Sequence, residues 1–407
     1  MSSTLSAYQS SEETVGPLAG LTVIDACQLF AGPMVATVLG DFGADVLKIE
    51  HPKGDALRTT GYQKDGKGLW WKVVSRNKRC ITLDIGEPEG AELFKRLAAD
   101  ADVVLEGFRP GTMERWGVGW DVLHALNPRL VMVRMSGFGQ TGPYASRPGF
   151  GTPAEAMSGF AHLVGQPDGP PSLPPFGLGD GVAAMVGIWA TMFALYDRDL
   201  RQQEGQMVDV SLYEGLMFLV GPQVTYYDQL GIVDTRTGNR TPLNAPRNLY
   251  KTRDEKWVAI AATGLNTPRR MMELVGHAEV SQEPWFESAR GRAEHVELLD
   301  ALISPWIAER TSADVVAECE AIGAAVAPVY DAEDLAHDPH IKERSLFEAP
   351  DPDFGLLTMQ DVVARLSRTP GRIKWTGPEK GAHNDEVYPG LGLTRDEMAQ
   401  LSGKGII

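Results

Sequence analysis

Between Leu21 and Met135 short apolar runs rich in β-branched residues alternate with stretches of helical period, and no other feature restricts the fold as tightly. Leu21 to Ala26, Asp45 to Ile49, Cys80 to Asp84, Val103 to Glu106 and Leu130 to Met135 read as strands. Met34 to Phe42, Pro88 to Ala99 and Trp120 to Leu126 read as the helices between them. Repeated strand, helix, strand builds a parallel sheet, because parallel neighbours need a crossover long enough to return the chain. The expected class is α/β, with a Rossmann-like large domain whose active loops lie at the carboxyl ends of the strands.

A unit of this kind ending in Glu50 invites a dinucleotide reading. That fingerprint requires G-x-G-x-x-G between strand and helix, so that backbone approaches the pyrophosphate. The turn here is Phe30, Ala31, Gly32, Pro33, with one glycine, which argues against a nicotinamide cofactor.

Arg147 to Pro175 is dense in Gly and Pro and reads as a long irregular connection of the functional kind. It delivers the chain to Phe176, Gly177, Leu178, Gly179, Asp180, Gly181, after which a helix from Gly181 is apolar on all sides and reads as buried. An Asp at such a junction is ordinarily an N-cap; the same position also suits a nucleophile. Met207 to Leu212 is a strand and Tyr213 to Tyr227 a helix. The polar stretch from Gly231 to Arg247 reads as a linker. A hairpin (Leu249 to Thr252, Trp257 to Ala262), helices at Thr267 to Val275, Arg292 to Glu309 and Ser312 to Ile322, and a strand at Val326 to Tyr330 follow. The domain reading is a disordered lead over 1–16, a large domain over 17–234, a smaller α+β domain over 235–340, and a return to the large domain over 341–407, with a strand at Leu356 to Val362.

The formal charge of −16 makes nucleic acid and anionic membrane poor partners, so any anion needs a local basic site. Cys27, Cys80 and Cys319 are far apart and in no metal-ligand spacing, which suits free thiols in the cytoplasm and no metal site. No secretory signal is apparent, and the most apolar run, Val182 to Leu195, is shorter than the roughly 20 residues of a membrane span. Two basic turns stand out: Arg76, Asn77, Lys78, Arg79 before one strand, and Phe108, Arg109, Pro110, Gly111, Arg115 after another. If both lie at one end of the sheet they suit a phosphorylated, adenine-bearing ligand, since guanidinium pairs with phosphate and an aromatic ring stacks on a base.

Taken in order, these motifs resemble the family III CoA-transferases, the family that also contains α-methylacyl-CoA racemases. The resembling stretches include Leu18 to Asp25, Phe30 to Pro33 with Gly40 to Glu50, Arg76 to Asp84, Glu106 to Gly117, Met135 to Pro143, Ala156 to Gly159, Gly179 to Asp180, Gly205 to Glu214, Ala245 to Ala262 and Leu335 to Phe347. The resemblance implies an interlinked homodimer of ring-like protomers, with the active site between the large domain of one chain and the small domain of the other. It implies Asp180 as the nucleophile, passing through a mixed anhydride and an aspartyl-CoA thioester, with no cofactor held permanently and coenzyme A entering as acyl-CoA. A helix N-terminus would favour the charged Asp180, and Gly179 and Gly181 would leave room for the acyl group and offer N–H groups to the oxyanion. Phe30, Lys78, Arg79, Phe108, Arg109 and Arg115 match CoA-lining positions, and His51 stands where many members have Arg.

The racemases use a histidine about where Phe150 lies; here no His occurs between His124 and His162, so the transferase reading is preferred. Glu155 departs from a family Gln and is a candidate substrate-contacting acid, Phe138 a wall of the acyl pocket, and His162 structural or substrate-facing. The family's Gly-rich loop is not evident in Ala261 to Asn266. The expected reaction moves CoA from an acyl-CoA to a carboxylic acid, small and succinyl-like, within or between molecules, with Arg147 or Arg247 pairing a distal carboxylate. Racemase-type proton transfer and CoA binding without transfer are the other readings.

Overall fold

The computed structural model describes residues 16–262, 264 and 266–407. Residues 1–15 of the expected lead, and Thr263 and Leu265 of the Ala261 to Asn266 stretch, lie outside the described residues. Two compact units form. One comprises the chain up to Phe160, Leu173–Pro222 and Glu343–Ile407, the other Ala161–Ser172 and Gln223–Lys342.

The first unit carries β1 (Thr22–Asp25), β2 (Asp45–Glu50), β3 (Lys78–Thr82), β4 (Val103–Glu106), β5 (Val131–Ser136) and β6 (Met207–Ser211). Every pairing is parallel, and the spatial order is β3, β2, β1, β4, β5, β6. The direction of winding reverses between β1 and β4, where ligands of such sheets bind. Its helices include α1 (Ala31–Asp41), α2 (Leu69–Val74), α3 (Pro88–Ala98), α4 (Trp120–Leu126), α5 (Gly151–Met157) and α6 (Leu178–Leu200). Successive strand residues point to opposite faces, and the core divides accordingly. Ile24, Val104 and Met132 pack with Phe94 and Leu97 of α3, while Val23, Val103 and Val131 pack with Val35 and Leu39 of α1 and Ala183 and Ala184 of α6.

The helix α6 differs from expectation in length and burial. It starts at Leu178 rather than Gly181 and runs 23 residues, so the argument that its apolar run is too short for a membrane span does not hold; among the described residues it is the one helix long and apolar enough by composition. Nor is it buried all round. Ala183, Ala184, Gly187 and Ala194 face α1 and the sheet, and a Cβ at Gly187 would stand 2.8 Å from Val35 Cγ2. The bulky residues are left on the other side: Met185, Trp189, Phe193, Tyr196 and Leu200 are 49% to 67% exposed. Small residues allow close approach on one face, and a helix on a sheet has only one covered face.

The stretch Arg147 to Pro175 is less irregular than its composition implies, since it contains α5. The expected helix from Tyr213 to Tyr227 is two, Glu214–Leu219 and Gln223–Leu230, interrupted where Gly221 takes φ +81° before Pro222. In the second unit β7 (Arg247–Lys251), β8 (Trp257–Ala261) and β9 (Ala325–Pro328) form an antiparallel sheet packed by α7 (Asn266–Leu274), α8 (Val296–Ala308) and α9 (Ser312–Ala321). The helix expected over Arg292 to Glu309 breaks at His295. Near the C-terminus β10 (Leu346–Asp351) pairs with β11 (Gly355–Gln360). The partner strand contains Pro350, a residue that sequence patterning counts against strands.

Candidate active site

The carboxyl end of β1 is built on buried charge. Asp25 accepts from Cys27 N–H at 3.1 Å and from Lys78 Nζ at 2.9 Å. Lys48, from β2, faces Asp55 Oδ2 at 3.0 Å and also donates to the Cys27 carbonyl. Burial alone would depress Lys48, but Asp25 and Asp55 hold its ammonium above the ordinary value. Asp55 in turn accepts from Leu29 N–H at 3.2 Å, and Leu29 sits at φ 64°. These bonds determine where the β1 turn delivers Phe30, whose ring lies 5.3 Å from that of Trp70 in α2.

Phe30 meets the start of α6. A Cβ on Gly177 would be 3.5 Å from the Phe30 ring and 3.3 Å from Asp180 Oδ2, and one on Gly181 would be 3.8 Å from the same ring. Asp180 is not the N-cap. That position is Gly177, without a side-chain capping bond, and Asp180 lies in the first helical turn. Its carboxylate rests over Gly151 at the start of α5, where a Cβ would be 2.8 Å from Oδ2. Among the described residues Asp180 has neither a hydrogen-bond donor nor a cation against its side chain, unlike Asp25 with Lys78, Asp41 with Arg76, Glu50 with Arg58 and Glu106 with Arg134.

Burial first, and the neighbouring Glu155 charge second, push the Asp180 carboxyl up to about 6. A helix N-terminus is expected to favour the charged form; burial and Glu155 act in the opposite direction. A further correction concerns the oxyanion: Gly179 N–H donates to Glu155 Oε1 at 3.0 Å and Gly181 N–H to the Gly177 carbonyl at 2.9 Å, so neither is open. The N–H of Asp180 itself donates no hydrogen bond among the described residues.

The two basic turns do not converge. Residues at the start of one strand and after the end of another lie at opposite ends of a parallel sheet: Arg76 and Asn77 precede β3 and Lys78 and Arg79 open it, whereas Phe108 and Arg109 follow β4. At the far end Arg76 pairs with Asp41 at 2.6 Å, and Arg79 with Asp45 at 2.6 Å and Glu386 at 2.8 Å. Lys78 is wholly buried, bonded to Asp25 and, at 2.7 Å, to the Pro33 carbonyl. The other turn is at the ligand end. Buried Glu106, held by Arg134 at 2.6 Å, accepts from Phe108 N–H at 2.7 Å. Phe108 packs edge-on to Trp116, Arg115 reaches Thr112 Oγ1 at 2.9 Å, and the exposed Arg109 side chain has no partner among the described residues. His51, after β2, faces Asp84 at 3.2 Å and accepts from Lys53 N–H on Nδ1.

After β5, Phe138 stands 6.2 Å from Tyr144 and 6.4 Å from Tyr213, and Arg147 lies 3.6 Å over the Tyr144 ring. Phe150 is exposed, whereas Glu155 is only 3% exposed. His162 and Arg247 belong to the second unit: the His162 carbonyl accepts from Arg236, and Arg247 donates to the Asn239 carbonyl at 3.0 Å. Sequence reasoning missed Gly151, Trp70 and the Lys48 and Asp55 support. The available signal was charge inside a strand, Lys48 and Glu50, which in a parallel sheet implies buried partners.

Residues 18–384 match the CoA-transferase family III. The chain is 42% identical to a succinyl-CoA–D-citramalate CoA-transferase of Chloroflexus aurantiacus, over 98% of this chain and 100% of that one. It is 30% identical to a succinate–glutarate CoA-transferase of Agrobacterium fabrum, over 92% and 96%. A CAIB/BAIF family protein from Brucella suis has the same fold, with a TM-score of 0.82, 29% identity, and coverage of 93% of this chain and 100% of that one. The chain thus belongs to family III of the CoA-transferases.

Proposed function

We propose that the protein transfers CoA from an acyl-CoA thioester to a carboxylic acid through covalent catalysis by Asp180. The observation that carries this reading is a carboxylate without a counter-ion in the first turn of α6, beside Phe30 at the carboxyl end of β1. The ionised Oδ of Asp180 attacks the thioester carbonyl carbon. A C–O bond forms, the C–S bond breaks, and its electron pair leaves on sulfur as CoA thiolate. The thiolate then attacks the Asp180 carbonyl carbon of the mixed anhydride, giving an aspartyl-CoA thioester and releasing the donor carboxylate. The acceptor carboxylate repeats both steps in reverse and regenerates Asp180, with no net proton change.

A carboxyl near 6 suits this role: it is mostly ionised at neutral pH and more basic than an ordinary aspartate. CoA is held at the ligand end by Phe108, Arg109 and Arg115, with His51 beside them; Lys78, buried against Asp25, and Arg79, paired with Asp45 and Glu386, are left out of this set. The relatives named above act on succinyl-CoA with D-citramalate and on succinate with glutarate. These are dicarboxylic systems, and the Arg147 guanidinium, stacked on Tyr144 without an acidic partner among the described residues, supports a distal carboxylate in the substrate here. Transfer within one dicarboxylic acid uses the same steps. Phe150, where racemases have histidine, has no proton to exchange.

The exposed apolar stripe of α6 supports the interlinked homodimer that family membership implies. Three free, buried cysteines suit a cytoplasmic protein. Incubation with succinyl-CoA and hydroxylamine tests the chemistry: mass spectrometry is expected to find a hydroxamate on Asp180. Its absence with a panel of acyl-CoAs, while CoA still binds, would instead make this a non-catalytic CoA-binding protein.

A further inference from the structure

The helix α5 supports the Asp180 site twice. Its first residue, Gly151, leaves the space that the Asp180 carboxylate occupies, and one turn later Glu155 reaches the start of α6, where its Oε1 accepts Gly179 N–H at 3.0 Å. Glu155 is 3% exposed and has no cationic partner among the described residues. A buried carboxylate in that condition is costly. Here it is offset by the N–H group and the positive end of the α6 dipole.

We propose that Glu155 is a positioning residue for the reaction: it pins the first turn of α6 to α5 so that Asp180 projects over Gly151, and its charge makes that carboxylate a stronger nucleophile. This rests on the reading of Asp180 given above. Of the elements around the start of α6, α5 faces Asp180 with Glu155 and the β1 turn faces it with the uncharged Phe30; burial and Glu155 are the influences that raise its carboxyl to about 6. The arrangement joins two uses of one side chain. A capping acid could occur at any helix start, but one beside a nucleophilic carboxylate also repels its negative charge. The repulsion is relieved when Asp180 becomes an uncharged anhydride, so it favours the attacking step.

The test measures exchange of labelled succinate into succinyl-CoA across pH 4.5 to 8 for the wild type, Glu155→Gln and Glu155→Ala. Gln keeps an oxygen for Gly179 N–H and removes the charge. Its thermal midpoint is expected to match the wild type, while the acid limb of kcat/KM moves down by about one pH unit, raising the ratio of activity at pH 5 to that at pH 7 about fivefold. Ala is expected to show the same displaced limb together with a lower thermal midpoint. A residue that only caps the helix would leave the limb unmoved in both variants, and that result would overturn the proposal. Full exchange activity in Asp180→Asn would instead overturn the underlying reading, whatever the Glu155 variants do.

Discussion

The Asp180 carboxylate lies directly over the α-carbon of Gly151, so closely that a methyl group there would stand 2.8 Å from Oδ2. The atom that must yield is the end of a flexible side chain, which can rotate away at little cost to the fold. Rotation would remove it from the direction of attack proposed above. Gly151→Ala is therefore expected to lower kcat by about 10- to 100-fold, since small misplacements of a reacting group cost that much. The thermal midpoint should stay within a few degrees of wild type. Calorimetry beside steady-state exchange kinetics checks both halves, and a variant with full activity would contradict the geometry.

The raised carboxyl of Asp180 has a consequence for stability. Its folded value of about 6 lies above the ordinary 3.8, so the folded state holds the proton more tightly than the unfolded one. The resulting stabilisation is complete below about 3.8 and is lost as pH rises through 6. Above that, the ionised group weighs against the fold by about 2 kcal/mol, after allowance for its partial exposure. Asp180→Asn removes the titration. It is expected to be more stable than wild type at pH 7.5 and to lose that advantage by pH 4, measured by denaturant unfolding at both values.

Much of the sheet was legible because buried parallel strands are short, apolar and bounded by turn residues; β4 and α4 were read to the residue. Charge was misread. Lys78 and Arg79 look like part of an anion-binding turn in sequence, yet Lys78 pairs with Asp25, 53 positions away, and no local pattern carries that information. Asp180 was visible as a Gly-flanked acid, but its environment depends on Gly151 and Glu155, which a Gly- and Pro-rich stretch disguised as loop. The burial of α6 was overstated because an apolar helix does not reveal which of its faces the rest of the chain covers.

The opposite placement of the two basic turns separates binding from stability. Arg76 is buried and forked onto Asp41 through Nε and Nη2, with bonds of 3.0 and 2.6 Å. Removing it leaves the buried Asp41 carboxylate with the Asn77 amide as donor but without its cation, so Arg76→Ala is expected to cost about 3 kcal/mol of stability while KM for succinyl-CoA stays unchanged. Arg109→Ala, at the exposed ligand end, should do the reverse. Its stability should match wild type, and KM for succinyl-CoA should rise several-fold with a weaker salt dependence. Paired unfolding and kinetic measurements decide the assignment; a KM effect confined to Arg76 would reverse it.

The outer face of α6 sets a final expectation. Met185, Trp189, Phe193, Tyr196 and Leu200 recur at spacings of three and four residues, so they form one continuous stripe, and each is about half exposed or more. Trp189 and Phe193 also touch, with ring centroids 5.3 Å apart. An apolar stripe of this size facing water would favour aggregation, whereas against a second copy of the chain it would be covered by its like. A charge placed there could not be buried without a partner. If the proposed homodimer forms through this face, the wild type is a dimer in light scattering at micromolar concentration, and Trp189→Glu combined with Phe193→Glu is expected to be a monomer. The side chains point away from α1 and the sheet, so the far-ultraviolet circular dichroism of the monomer should match wild type. A wild type that is already monomeric, or a dimer that survives both substitutions, would overturn this use of the α6 face.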